Sequence, residues 1–155
     1  MALPQDPVLF KNGGLYLGTS TSAYVNFTRA LKGLQFPLAK AELANSVMGD
    51  NAETMEQGLE SLQISATFRQ DFTASGVDAK TYSWWKNGNK LYAIFKPVNT
   101  TTATTNPEFR CKVKVFNITP ITGDHGQLLA NEVSLRLVSA TSTSAYNGIT
   151  RSTSS

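Results

Sequence analysis

Residues 62–68 read LQISATF, in which the apolar side chains Leu62, Ile64, Ala66 and Phe68 alternate with polar ones. Successive side chains of a strand point to opposite faces of a sheet, so this alternation predicts a β-strand with one face in a core. Six further segments show a similar alternation or a short apolar run: 15–17, 24–27, 39–47, 91–98, 112–115 and 132–137. About seven strands predict a mainly β fold, either a β-sandwich or a barrel.

For two of these segments, the sequence also predicts which faces of the strand are buried. Segment 39–47 alternates apolar and polar side chains, which predicts that one of its faces is buried. Segment 91–98 is apolar on both faces, which predicts a position near the centre of the sheet.

One α-helix is predicted at about Asp78–Asn87, within the segment SGVDAKTYSWWKNGNK. Asp78 is a suitable N-cap, and Gly88 can adopt the left-handed conformation that ends many helices. A helix of about ten residues is marginal by itself, so it has to pack on the sheet. The side chains expected to make that contact are Val77, Tyr82 and Trp85.

The remaining segments predict a loop and two arms around a single domain, residues 1–155. A long loop is expected at about Met48–Leu59, because MGDNAETMEQGL has no hydrophobic period. Extended arms are expected at both ends of the chain. The C-terminal arm, 139–155, has 10 Ser or Thr among 17 residues and too little apolar surface to fold alone. We therefore expect it to lack structure or to be ordered by a neighbouring subunit.

The composition argues against an enzyme and against a cofactor or metal site. The chain has one His and one Cys, too few for a disulfide or a Cys/His zinc site. A Ser-His-Asp triad could use only His125, which lies in a Gly-flanked turn, and Cys111 fits a small core residue. No apolar run approaches about 18 residues and no secretory leader opens the chain, so we expect no membrane partner and synthesis in a cytoplasm.

The charges are segregated along the sequence. Residues 41–68 carry five acids and no Lys or Arg, whereas residues 80–114 carry seven bases and one acid, Glu108. Segregation of this kind can produce two surfaces of opposite sign, through which copies of the chain attract one another head to tail. The alternative is that both segments are simply solvated faces.

A series of short motifs runs in a recognisable order from about Val25 to Ala140. The motifs are Asn26, Thr28, Ser46 and Gly49-Asp50, then Gly58-Leu59, Gln70-Asp71-Phe72, Asn106-Pro107, Gly123-Asp124 and the strand from Asn131 to Val138. In order and spacing they resemble the major tail tube proteins of phages with long non-contractile tails. The chain departs from that family in carrying Asn26 where an acid is common.

This resemblance implies a tail-tube-type β-sandwich or barrel with one flanking helix. It also implies a structural virion protein whose hexameric rings stack into the hollow tail tube through which DNA reaches the host. The implied partners are other copies of the chain and the tail tip or initiator, tape measure and tail terminator proteins. DNA would be present only in transit, without sequence recognition, and the protein would be located in the virion tail.

The resemblance directs attention to the loop at 48–59 as the contact between subunits. The expected inter-ring or inter-subunit contacts are Met48, Gly49, Asp50, Asn51, Glu53, Met55 and Glu56. A cationic bore would hold DNA by releasing its counterions, so we expect the lumen to be acidic or neutral. The acids expected at the lumen or at the junction between rings are Glu42, Asp50, Glu53, Glu56 and Glu60.

Other functions fit parts of the sequence. A β-sandwich binding module, such as a virion decoration or carbohydrate-binding protein, would need an exposed aromatic platform, for which Trp84 and Trp85 are the candidates. The same aromatics stand among bases and could stack single-stranded nucleic acid, although their spacing also suits a core. A tube of a related secretion or injection system would share the tail tube architecture.

Overall fold

The computed structural model describes residues 13–48, 52, 55–138 and 148–153. In this part of the chain there are ten strands and one helix, which confirms the predicted mainly β fold with a single helix. The strands are β1 Gly14–Ser20, β2 Ala23–Asn26, β3 Leu31–Gln35, β4 Ala39–Ala44, β5 Met55–Ser61, β6 Gln63–Arg69, β7 Lys90–Lys96, β8 Glu108–Thr122, β9 Ala130–Leu137 and β10 Ile149–Ser152, and the helix is α1 Val77–Asn87.

Eight of the strands form one sheet in which all neighbours are antiparallel. Its order is β2-β1-β7-β8-β9-β6-β3, and β10 pairs with the first residues of β8. Among the described strands, the outer pair β2 and β3 are not bonded to each other, so hydrogen bonding does not close this sheet into a barrel. The strands β4 and β5 form a separate two-stranded hairpin.

The core lies on one face of the large sheet and is formed by the apolar residues of the alternating segments. Ile64, Ala66 and Phe68 of β6 are all at most 1% exposed, which confirms the alternation at 62–68. The strand β7 lies between β1 and β8, as expected of a central strand. Only alternate residues of β7 are fully buried, however, because its second face is partly open to solvent.

The helix begins and ends close to the predicted residues but packs through a different face. Gly88 ends it with φ 61°, as predicted, whereas the N-cap is Gly76 and not Asp78. The prediction was wrong for Tyr82 and Trp85, which are 49% and 42% exposed. The buried side chains are Val77, Thr81 and Trp84. Their spacing of i, i+4 and i+7 makes one narrow stripe, and Tyr82 and Trp85 lie one residue, about 100°, around the helix from it.

The predicted loop at Met48–Leu59 is also corrected, because Met55–Leu59 belong to β5. The hairpin contains a bulge in β5, since the register shifts between the pairs Lys40↔Glu60 and Glu42↔Gln57. Segment 39–47 is not half-buried: the strand β4 ends at Ala44 and all of its residues are exposed. Among the described strands β4 pairs only with β5, so the alternation at 39–47 has no sheet core against which to bury one face.

The C-terminal arm is partly ordered by the chain itself. Ile149–Ser152 forms β10 and pairs with Glu108–Cys111 of β8. Strand pairing satisfies backbone groups whatever the side chains are, so a Ser/Thr-rich segment can join a sheet edge without an apolar surface of its own. Residues 1–12, 139–147 and 154–155 lie outside the described part of the chain.

Candidate assembly surfaces

The β4–β5 hairpin carries a concentration of exposed apolar side chains. Leu59 is 86% exposed and Met48, just beyond β4, is fully exposed. The large apolar side chains exposed on or beside the hairpin are Leu38, Leu43, Val47, Met48, Met55 and Leu59. Exposed apolar patches and open strand edges are both features of surfaces that other chains cover.

The same hairpin collects the acids that the sequence analysis singled out. Glu42, Glu56 and Glu60 are all exposed on it, against one base, Lys40. Glu56 Oε1 accepts a hydrogen bond from Asn45 Nδ2 at 2.7 Å. Glu60 Oε2 accepts one from the Ile149 backbone N–H at 3.4 Å. The remaining predicted contact or lumen residues, Gly49, Asp50, Asn51 and Glu53, lie outside the described residues.

A groove of about 450 Å³ separates the hairpin from the paired strands β8 and β10. Glu42 and Gln57 line it from the hairpin, and Phe109, Ile149 and Arg151 line it from the sheet. The hydrogen bond to Glu60 crosses this groove, and Leu38 also lines it. The other exposed apolar side chains of the hairpin do not line it and remain available to a neighbouring molecule.

The opposite charge gathers on the solvent face of the large sheet. Lys90 of β7 lies directly opposite Lys114 of β8, and Lys114 lies directly opposite Arg136 of β9. Lys90 and Arg136 are exposed and Lys114 is half-buried. We call these three residues the cation row. Within the described residues, both ion pairs closer than 4.0 Å involve Glu108, so no carboxylate pairs with a member of the row.

Glu108, the one acid in the basic segment, serves a local structural role. Glu108 is 4% exposed, and its carboxylate accepts from Lys96 Nζ at 3.3 Å, from Thr102 Oγ1 at 2.9 Å and from Arg110 Nε. Burial raises the pKa of Glu108, but hydrogen bonds from Arg110, Thr102 and Lys96 and the positive charge of Arg110 outweigh it, so the pKa is lowered overall. This cluster holds the loop between β7 and β8 onto the sheet.

The candidates for chemistry are isolated from one another. Cys111 is fully buried, and burial raises the pKa of its thiol to about 12. His125 is exposed in the turn that joins β8 to β9. The described residues contain no group of three His, Cys, Asp or Glu side chains that could hold a metal ion.

The single helix of the described structure is too short to span a membrane. In the described part of the chain, no helix is long and apolar enough to cross a bilayer; α1 has 11 residues.

Of the two tryptophans that were the candidates for an aromatic platform, only Trp85 is exposed. Tyr82 and Trp85 are exposed and their ring centroids are 5.9 Å apart. Trp84 is buried and meets Phe27 edge-on at 5.8 Å. The two adjacent tryptophans therefore do not act together, because one is core and the other is surface.

Sequence reasoning missed the cation row because Arg136 stands outside the basic segment. The signal that was present is the alternation of β9, which places Arg136 on the polar face of that strand. Identifying the three residues as neighbours requires the register of three strands, which the sequence does not provide.

Solved structures with a similar fold match most of this chain, all at low sequence identity. The chain matches the SPP1 tail tube with a TM-score of 0.71 and 9% identity, over 95% of this chain and 80% of that one. It matches the tail of an empty gene transfer agent particle with a TM-score of 0.65 and 12% identity, over 84% of this chain and 93% of that one. It matches the tube-terminating cap of the anti-feeding prophage with a TM-score of 0.58 and 13% identity, over 99% of this chain and 96% of that one.

No protein-family model and no curated protein sequence matches the chain. At these identities the structural matches show a shared fold, the one found in these tail and tube assemblies.

Proposed function

We propose that this protein is a tail tube subunit: a structural virion protein whose rings stack into a hollow tube that conducts DNA. The observation that carries the proposal is the match to the SPP1 tail tube, which spans 95% of this chain at a TM-score of 0.71. Rings of six follow from the resemblance to phage tail tubes, and the C6 symmetry of the gene transfer agent tail supports them.

The surfaces of the chain support self-assembly. The hairpin exposes apolar side chains on a two-stranded ribbon, and an isolated two-stranded ribbon is marginal in water. Contacts with neighbouring copies would cover these side chains and the edges of β2 and β3 that no described strand pairs with. The chain would then be more stable in the assembled tube than alone, because binding partners stabilise the folded state by mass action.

We assign the contact between subunits to the hairpin and its tip. The proposed contacts are Met48, Gly49, Asp50, Asn51, Glu53, Met55 and Glu56, of which Met48, Met55 and Glu56 are exposed in the described structure. The proposed lumen or junction acids are Glu42, Asp50, Glu53, Glu56 and Glu60. An acidic bore would repel the phosphate backbone and a neutral bore would not attract it, so in either case DNA could pass without being held.

The finer partners follow from the same proposal. The tube would begin on a tail tip or initiator, enclose a tape measure protein, end at a terminator and reside in the virion tail. A tube of an injection system is the second candidate, favoured by the match to the anti-feeding prophage cap over 99% of this chain. Particles that contain this protein separate the two, because a phage tail joins a DNA-filled capsid and an injection-system tube does not.

The contact assignment is tested by a change at the tip of the hairpin. We expect Met48→Ser/Met55→Ser to keep the thermal midpoint of the monomer, since both side chains are exposed, and to weaken assembly at least tenfold in sedimentation. The matched control is Met48→Leu/Met55→Leu, which keeps the apolar surface and should assemble like the wild type. Equal assembly by the Ser variant would contradict the assignment.

A further inference from the structure

We infer that the cation row, Lys90, Lys114 and Arg136, is the docking surface for the acidic β4–β5 hairpin of a second copy of this chain. The inference rests on the proposed self-assembly and identifies which surface receives the hairpin. It concerns two charged surfaces of the same chain for which the described residues provide no ion pair within 4.0 Å.

The row is electrostatically unfavourable within one chain. Lys90 and Lys114 are direct cross-strand partners, and so are Lys114 and Arg136. Side chains directly opposite in an antiparallel pair have their Cβ atoms about 4.5–5.5 Å apart, and like charges there are destabilising. Glu132, the other charged residue of β9, lies four residues from Arg136, about 13 Å along the strand. A carboxylate placed over the row by another molecule would relieve this repulsion.

Ring contacts orient the charges of this face. The guanidinium of Arg136 lies over the Phe116 ring, 5.5 Å from its centroid. Lys112 Nζ, beside the row on β8, lies 4.8 Å from the centroid of Tyr92. Charges that are already positioned lose less side-chain freedom on binding, so the face is arranged to receive a partner of opposite sign.

The hairpin has the matching charge and is accessible. Glu42, Glu56 and Glu60 are exposed on it, and Lys40 is its only base. Glu42 and Glu60 line the groove that Arg151 borders from the sheet, whereas Glu56, directly opposite Leu43, lies on the other face of the hairpin. Lys40 is the cross-strand partner of Glu60, yet no ion pair within 4.0 Å joins these described residues. The hairpin therefore carries excess negative charge, just as the row carries excess positive charge.

A second copy accounts for both surfaces, whereas a nucleic acid would account for one. Phosphates could neutralise the row but would leave the hairpin acids unpaired and would be repelled by them. Because the row and the hairpin are different surfaces, their contact is head-to-tail, and head-to-tail contacts generate rings or stacks. That is the geometry the proposed tube requires.

Charge reversal tests the pairing. The cation-reversed variant is Lys90→Glu/Lys114→Glu/Arg136→Glu, and the acid-reversed variant is Glu42→Lys/Glu56→Lys/Glu60→Lys. Alone, each presents like charges at every contact, so we expect at least a tenfold loss of assembly by sedimentation and electron microscopy. Mixed at equal concentrations, the two should assemble again with both chains in each particle, because every contact in an alternating arrangement then joins opposite charges.

The outcomes separate this inference from the proposed function. Failure of the wild type to assemble would contradict the proposed function itself. Wild-type assembly together with unimpaired assembly of either variant, or with no rescue on mixing, would overturn the docking inference alone. If the cation-reversed variant assembles normally but no longer binds a 30-base-pair DNA duplex that the wild type binds, the row is a nucleic-acid surface instead. Should a reversed variant not fold by circular dichroism, the corresponding Gln triple variant, which removes charge without inverting it, is expected to weaken assembly at least tenfold.

Discussion

Trp84 and Trp85 are adjacent in the sequence but belong to different environments: Trp84 is 6% exposed and Trp85 is 42% exposed. The difference follows from the helix, in which consecutive residues point about 100° apart. Trp84 lies on the stripe that faces the core and packs against Phe27, whereas Trp85 pairs with Tyr82 on the surface. The helix is therefore anchored through one indole only.

The two tryptophans provide a matched pair of stability variants. We expect Trp84→Ala to lower the free energy of unfolding by about 3–5 kcal/mol, the usual cost of truncating a buried Trp. Trp85→Ala should change it by less than about 1 kcal/mol, as for most surface substitutions. Urea unfolding under conditions that keep the chain monomeric measures both values. Similar losses in the two variants would contradict the assigned packing face.

A buried hydrogen bond joins the same helix to β9. Asn131 Nδ2 donates to Thr81 Oγ1 at 3.0 Å, and both residues are at most 1% exposed. Thr81→Val keeps the shape but removes the acceptor, leaving a buried donor unpaired at a cost of about 1–3 kcal/mol. Thr81→Ser keeps the hydroxyl and should recover most of that loss. Equal stability of the Ser and Val variants in urea unfolding would show that the bond contributes nothing.

The lowered pKa of Glu108 predicts how the free energy of unfolding changes in acid. Its pKa in the folded chain is lowered from the ordinary 4.5, so its ionised form stabilises the fold. This contribution is complete above pH 4.5 and is lost as the pH falls through the lowered pKa. Glu108→Gln removes it at every pH. Between pH 6 and pH 2, the free energy of unfolding should therefore fall more steeply in the wild type than in the variant, and parallel profiles would contradict the role of this carboxylate.

Cys111 is expected to be unreactive in the folded chain. It is fully buried, and with a thiol pKa of about 12 almost no thiolate exists at neutral pH. The thiolate is the reactive form, so a colorimetric thiol reagent at pH 8 should label the wild type only at the rate of unfolding. Full and immediate labelling in urea is the control. Rapid labelling without denaturant would place this strand outside the core.

The sequence predicts the alternating strands well because burial imposes a period of two on them. In β6, each of Ile64, Ala66 and Phe68 lies in the core as the pattern requires. The hairpin does not follow this rule because neither of its strands borders the core: β4 alternates although both of its faces are exposed, and the segment around Gly58 in β5 has no period to detect. The predicted packing face of the helix was wrong because the prediction placed the large aromatic side chains in the core. The structure instead buries Thr81, a small polar residue whose hydroxyl is satisfied by hydrogen bonds.

The charged surfaces were only half predictable. The excess of acids in 41–68 and of bases in 80–114 is visible in the sequence, and the hairpin indeed presents Glu42, Glu56 and Glu60. The cation row depends on register, which is set by long-range pairing and by the irregularities between β8 and β9. Such pairings are tertiary information, and a charge count along the chain does not contain them.

The most direct test of the tube proposal is electron microscopy of the purified full chain as it is concentrated stepwise from micromolar to millimolar. The account predicts isolated rings or hollow tubes of uniform width, with a sixfold axis and a continuous central bore. Chains that remain monomeric throughout, or filaments without a bore, would contradict the proposal that this protein forms a tail tube.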